Sequence, residues 1–295
     1  MKHMQGIIAV TATPFKNDGA IDYDVAKAHL NWLLDSGVHG VLPIGSTGEF
    51  ASFSKAERKA YAEFIIKEVA GRVPVMVGVS SQNVDDTVEL ANHAAEIGAD
   101  AVMALPPPSL HLSQNEICNF YQYLSDRIKL PAMIYNNPGS SGVDIQPETI
   151  ESIAPAANIG YVKESTGDIK RLTRLVDSIG DQVTVLCGCE NLGYESLMMG
   201  AKGWISVVAN IAPSMNVRLY DLIVNKKDYE GARAVYRQLL PMLRLIEDTG
   251  ELWQVIKYVL RQKGFGTGTL RMPRLPISAE VKAMVDGVLK STPIE

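Results

Sequence analysis

SGVHGVLPIGS (36–46), IGADAVMALPP (97–107) and MGAKGWISVVA (199–209) are variations on one pattern. In each, a helical segment stops at a glycine and a short apolar, β-branched run begins two or three residues later. Glycine suits the left-handed position just past a helix, where a Cβ would clash. Apolar runs without polar alternation suit parallel strands covered on both faces.

Extending the pattern outward marks eight such runs, at 6–13, 39–45, 73–79, 100–105, 131–136, 159–163, 183–187 and 203–208. Their starts recur every 20 to 34 residues, the spacing of βα units. The segments between them have helical periodicity, as in 54–71 and 84–98, and Ser54 followed by Glu57 predicts a capping box. Eight uninterrupted units favour an α/β fold of the closed (β/α)8 TIM-barrel type over an open sheet, whose edge strand would show polar alternation. The barrel needs residues 1–225. Residues 226–295 read as a C-terminal helical domain of three helices, with a Gly- and Pro-rich loop at 264–276.

Composition narrows the function. Of 295 residues, 46% are hydrophobic and 21% charged, an ordinary globular balance, and α/β barrels of about 250 residues fold as one domain. The net charge of −5 gives no basic footprint for nucleic acid or an anionic membrane. No apolar run approaches the roughly 20 residues of a membrane span, and the N-terminal apolar stretch is broken by Pro14 too early for a signal peptide. Three cysteines and five scattered histidines make neither a disulfide framework nor a metal site. A cytoplasmic, soluble protein acting on small molecules or on other proteins is the expectation.

In such a barrel the active site lies at the C-terminal strand ends. There stand Ser46 and Thr47 in GSTGE (45–49), Tyr135 in YNNP, Lys163 in VKES, and Glu190 in GCE. A lysine on a barrel is ordinarily a stem lying along the wall with its ammonium in water. Lys163, however, closes the apolar run 159–162, at the mouth. In an apolar pocket desolvation favours a lysine's neutral amine, which can attack a carbonyl and make an imine with a 2-oxo acid. Tyr135 ends the neighbouring strand at the same level. A strand-end tyrosine is usually half-buried packing, but here it is placed to move protons. GSTGE offers hydroxyls and backbone amides between glycines, a nest for a carboxylate, and Ser46 and Thr47 could relay protons to Tyr135.

With GSTGEF, YNNPGSSG and VKESTGD in this order, the chain resembles the dihydrodipicolinate synthase / N-acetylneuraminate lyase family of class I pyruvate-dependent lyases. The likeness covers most of the chain, including PVMVGV and GAKGWISVVANIAP. It implies a (β/α)8 barrel with C-terminal helices, a homotetramer, and no metal or organic cofactor. It makes Lys163 the Schiff-base lysine, Tyr135 the proton-transferring tyrosine, and Ser46 and Thr47 the pair that binds the pyruvyl carboxylate. Ser165 and Glu190 fall where sialate lyases place substrate-facing polar groups, and Val207 where backbone faces the pyruvyl moiety. Two positions depart from the lysine-pathway pattern. Ser140 stands where those enzymes carry an arginine for the substrate's distant carboxylate, and PPPSL (106–110) lacks their tyrosine. The sequence therefore places first a lyase for a 2-keto-3-deoxy sugar acid or sialate-like 2-oxo acid, cleaving or dehydrating it. Second comes 4-hydroxy-tetrahydrodipicolinate synthase, from pyruvate and aspartate semialdehyde. A non-catalytic keto-acid sensor and a metal-assisted barrel aldolase or hydrolase are the remaining alternatives.

Overall fold

A computed structural model of the chain describes residues 3–292 and 294. The expected runs form eight strands: β1 (Gly6–Val10), β2 (Gly40–Leu42), β3 (Met76–Gly78), β4 (Ala101–Ala104), β5 (Ala132–Asn136), β6 (Ile159–Glu164), β7 (Thr184–Cys187) and β8 (Gly203–Ser206). All pair in parallel in the order β2-β1-β8-β7-β6-β5-β4-β3, and a parallel bridge from Val41 to Val75 brings the two ends together. This is a TIM barrel with helices between its strands.

Local rules account for the connections. Gly37, Gly98 and Gly200 all sit at positive φ, +86°, +91° and +100°, where each incoming helix ends. Ser54 caps the helix Lys55–Val69: its hydroxyl accepts from the Glu57 N–H while the Glu57 carboxylate takes the Ser54 N–H.

Two apolar layers divide the strand residues. Met4, Ile8, Leu42, Met103, Met133 and Leu186 fill the barrel, while Ile7, Val41, Val102, Ile134, Val162 and Val185 pack outward against helices. The alternation is the strand period of two. In β6 it is reset. Ile159 pairs with Ala132 and Tyr161 with Met133, so Gly160 is an extra residue, a bulge. Ile159 belongs to the outer layer but Tyr161 to the inner one. In a regular strand Ile159 and Lys163, four residues apart, would share a face. The bulge turns Lys163 into the barrel, level with Tyr135, its Cα partner on β5.

The C-terminal helices observed are Tyr229–Asp248, Leu252–Gln262 and Ala279–Ser291. Their buried side chains, among them Leu239, Met242, Val255 and Val285, join the same apolar cluster as the outer barrel layer. No helix among the described residues is long and apolar enough to cross a membrane.

Candidate active site

Lys163 is 4% exposed, and its Nζ lies 4.1 Å from the centre of the Tyr135 ring. Among the described residues the amine makes no hydrogen bond and no ion pair, and it faces the aromatic ring. A charged amine left unpaired in a protein interior is costly, so a buried lysine of this kind marks a place where a ligand is to be accommodated. Room for its stem comes from Gly188 after β7. A Cβ there would stand 2.7 Å from Lys163 Cε and 1.8 Å from Ser165 Oγ.

Tyr135 is 3% exposed, and its phenol oxygen accepts a hydrogen bond from Asn137 Nδ2 at 2.9 Å. That leaves the phenol proton free to point into the mouth. No direct hydrogen bond joins Tyr135 to Ser46 or Thr47, so the relay expected from sequence is not closed by these side chains alone.

The GSTGE turn after β2 is held under strain. Ile44 and Glu49 both have φ near +60°, an unfavourable conformation for side chains of their size. The turn lies directly on β3, where a Cβ on Gly78 would be 2.1 Å from the Ile44 carbonyl. Thr47 is buried, and Ser46 Oγ, Ser165 Oγ and Thr11 Oγ1 are buried without a hydrogen-bond partner among the described residues. Orphaned hydroxyls cost about 1–3 kcal/mol each. Gathered at a barrel mouth, they are what a polar ligand would satisfy.

Three expected residues have other surroundings. Glu190 is 1% exposed and does not offer its carboxyl to a cavity. Its oxygens accept the N–H groups of Val207 (2.7 Å) and Val208 (2.8 Å), and Ser206 Oγ donates at 3.4 Å. Burial pushes this carboxyl up to about 8, against the two backbone hydrogen bonds that pull it down. Val207 thus has its N–H taken, and its carbonyl accepts from Asn210 Nδ2 at 2.8 Å. Ser140 is exposed on the short helix Pro138–Ser141. It borders a cavity of about 630 Å3 whose walls also include Ser46, Pro108, Trp253, Arg271 and Arg274.

Sequence reasoning missed Gly188, Asn137 and Trp253. Trp253 Nε1 donates to the Ser46 carbonyl at 2.8 Å across 207 residues. Asn137 follows the tyrosine too closely for its role to stand out, and Gly188 differs from a turn glycine only once Lys163 is in place.

A TIM barrel with an unpaired buried amine facing a tyrosine, beside a turn of orphaned hydroxyls, defines a class: lyases that work through a lysine Schiff base. The chain belongs to the dihydrodipicolinate synthetase family, whose model matches residues 3–292. It is 32% identical over 288 residues to the 4-hydroxy-tetrahydrodipicolinate synthase of Psychrobacter sp. (strain PRwf-1), covering 98% of this chain and 95% of the relative. The enzyme of that name from Methanocaldococcus jannaschii is also 32% identical, over 97% of this chain and 98% of its own. Among solved structures, the dihydrodipicolinate synthase of Acinetobacter baumannii complexed with pyruvate superposes with a TM-score of 0.94 at 26% identity, over 99% of this chain and all of that one. YagE, a family member from E. coli K12 in complex with pyruvate, has a TM-score of 0.93 at 30% identity, over 99% of each chain. Like the family, the chain is a class I pyruvate-dependent lyase.

Proposed function

We propose that Lys163 is the amine that forms the Schiff base, with pyruvate as the 2-oxo acid. The observation that carries this is the buried, unpaired Lys163 at the register position of Tyr135, 4.1 Å from its ring. The neutral Nζ attacks the carbonyl carbon C2, and loss of the carbonyl oxygen as water leaves an iminium. The iminium acidifies the C3 protons, and removing one gives an enamine that attacks an aldehyde carbon, forming the C3–C4 bond. The aldehyde oxygen takes up a proton, and water then releases the product and regenerates the lysine. Cleavage is the reverse. Tyr135 carries protons to and from these atoms, its oxygen held by Asn137. Ser46 and Thr47 receive the C1 carboxylate, and Ser165 lies beside the lysine stem.

Of the finer readings, the relatives' names support 4-hydroxy-tetrahydrodipicolinate synthase, which the sequence placed second. The sialate-like specificity placed first has no support from those names. One observation keeps a sugar-acid substrate as a second reading: Ser140, in the arginine's place, cannot give a bidentate charged grip.

Borohydride added with pyruvate is expected to fix one pyruvyl adduct per chain, mapped to Lys163 by peptide mass spectrometry. Lys163→Ala should keep the fold by circular dichroism, form no adduct, and lose turnover on every acceptor tried. An adduct elsewhere, or turnover in the variant, removes the reading. A panel of aspartate semialdehyde against 2-keto-3-deoxy sugar acids then decides between the acceptors.

A further inference from the structure

Arg274 is a cation that no carboxylate among the described residues pairs with directly. It borders the 630 Å3 cavity together with Ser46 and Ser140. Its guanidinium carbon lies 3.2 Å from the centre of the Trp253 ring. Among the described residues the guanidinium makes no hydrogen bond and no ion pair; only its backbone N–H is bonded, to the Arg271 carbonyl. The other charges around the cavity are spoken for. Arg271 donates to the Gly19 and Ser52 carbonyls and to Glu57, while Glu49 pairs with Lys257 and accepts the Arg271 N–H. The cavity therefore carries one uncompensated positive charge.

That charge is held in place. The indole under it donates its Nε1–H to the Ser46 carbonyl, so one rigid ring ties Arg274 to the turn that receives the C1 carboxylate in the reading above. A guanidinium stacked on an aromatic face keeps its edge for hydrogen bonding, and the planar fork matches a carboxylate in two parallel bonds. Ser140 stands where the resemblance places an arginine for a distant carboxylate, and it opens onto the same cavity.

We propose that Arg274 binds a second carboxylate at the far end of the substrate, which makes it a specificity residue for acceptors and 2-oxo acids with an acidic tail. The inference rests on the Schiff-base reading and narrows it: one carboxylate sits on the Ser46–Thr47 turn, the imine forms at Lys163, and the other acidic end lies under Arg274. Neutral sugar-derived tails would leave the guanidinium unmet.

The test is competition against borohydride trapping of pyruvate on the full chain, using 2-oxohexanoate and 2-oxoadipate, which differ in a terminal carboxylate. The wild type should be protected by 2-oxoadipate at a concentration about 10- to 100-fold below that of 2-oxohexanoate, the range of a charge-assisted bidentate contact. Arg274→Met should abolish that preference and Arg274→Lys should keep part of it, with the concentration of pyruvate giving half-maximal trapping unaltered in both. If the wild type shows no preference, or Arg274→Met retains it, or neither acid competes, the inference falls while pyruvate trapping leaves the Schiff-base reading standing. If pyruvate itself forms no adduct, both fall.

Discussion

A methyl group added at Gly188 would press on two side chains of the proposed site, Ser165 Oγ at 1.8 Å and Lys163 Cε at 2.7 Å. The lysine stem is enclosed, so it would yield by swinging its amine away from Tyr135 rather than into solvent. A displacement near 1 Å at a reacting group costs about 100-fold in rate. Gly188→Ala is therefore expected to lower kcat by about that factor while the fold survives. Adding Ser165→Gly removes the closest contact but leaves the one with Lys163, so the double variant should recover only part of the loss. The measurement is the rate of pyruvate trapping by intact mass, and a Gly188→Ala variant trapping at the wild-type rate would show the stem to be unconstrained. Chemical type singled out Lys163, Tyr135, Ser46 and Thr47 as candidates at this scale, because each stands at the end of an apolar run. Gly188 was not legible, since its meaning is a distance to another strand.

The strands were readable because parallel strands buried on both faces leave continuous apolar runs, and all eight lie where expected. The Gly160 bulge was not, and it decides which way Lys163 points. An extra residue in a run of apolar residues leaves no mark on the pattern. Glu190 is the other hidden device, a carboxyl from the turn after β7 clamping the backbone after β8. The resemblance to sialate lyases suggested that it faces substrate; its partners make it a brace. Burial raises its pKa from an ordinary 4.5 to about 8, so the folded state holds a proton that the unfolded state releases above 4.5. The stability this group contributes is complete below pH 4.5 and is lost as pH rises through 8. In Glu190→Gln that slope is absent, while the amide NH2 facing one of the two backbone N–H groups costs about 1 kcal/mol at every pH. The variant should melt below the wild type at pH 5.5, with the gap narrowing or reversing by pH 8.5. Melting curves across that range test it, and parallel dependence in the two proteins would contradict a buried neutral carboxyl.

At the scale of the whole molecule, the division at 225/226 separates segments of chain, not cores: we propose it as a description of order along the sequence, since the outer barrel layer and the C-terminal helices share one apolar cluster. The helix Leu252–Gln262 lies at the barrel mouth, where Trp253 holds Ser46 and Lys257 pairs with Glu49. Contacts spanning about two hundred residues between ordinary residue types leave no periodic signal, so the sequence reads this helix only as an amphipathic one. The pair itself is deeply buried, with side chains 5% and 2% exposed. Burial lowers the Lys257 pKa to about 8 against the pull of Glu49, so the ammonium persists at neutral pH at a desolvation cost that its partner helps to offset. Lys257 also donates to the Thr269 carbonyl at 2.8 Å. Lys257→Met leaves the Glu49 carboxylate buried and uncompensated, a loss of about 3–5 kcal/mol, or roughly 10 °C in Tm for a chain of this size. Glu49 sits at positive φ at the end of the GSTGE turn, so the same variant should also weaken pyruvate trapping by displacing Ser46 and Thr47. Lys257→Met with Glu49→Gln removes both charges and should regain most of the Tm, short of about 1 kcal/mol for the lost bond to Thr269. A single variant as stable as the wild type, or a double variant no better than the single, would mean that the pair does not lock the C-terminal helix to the mouth.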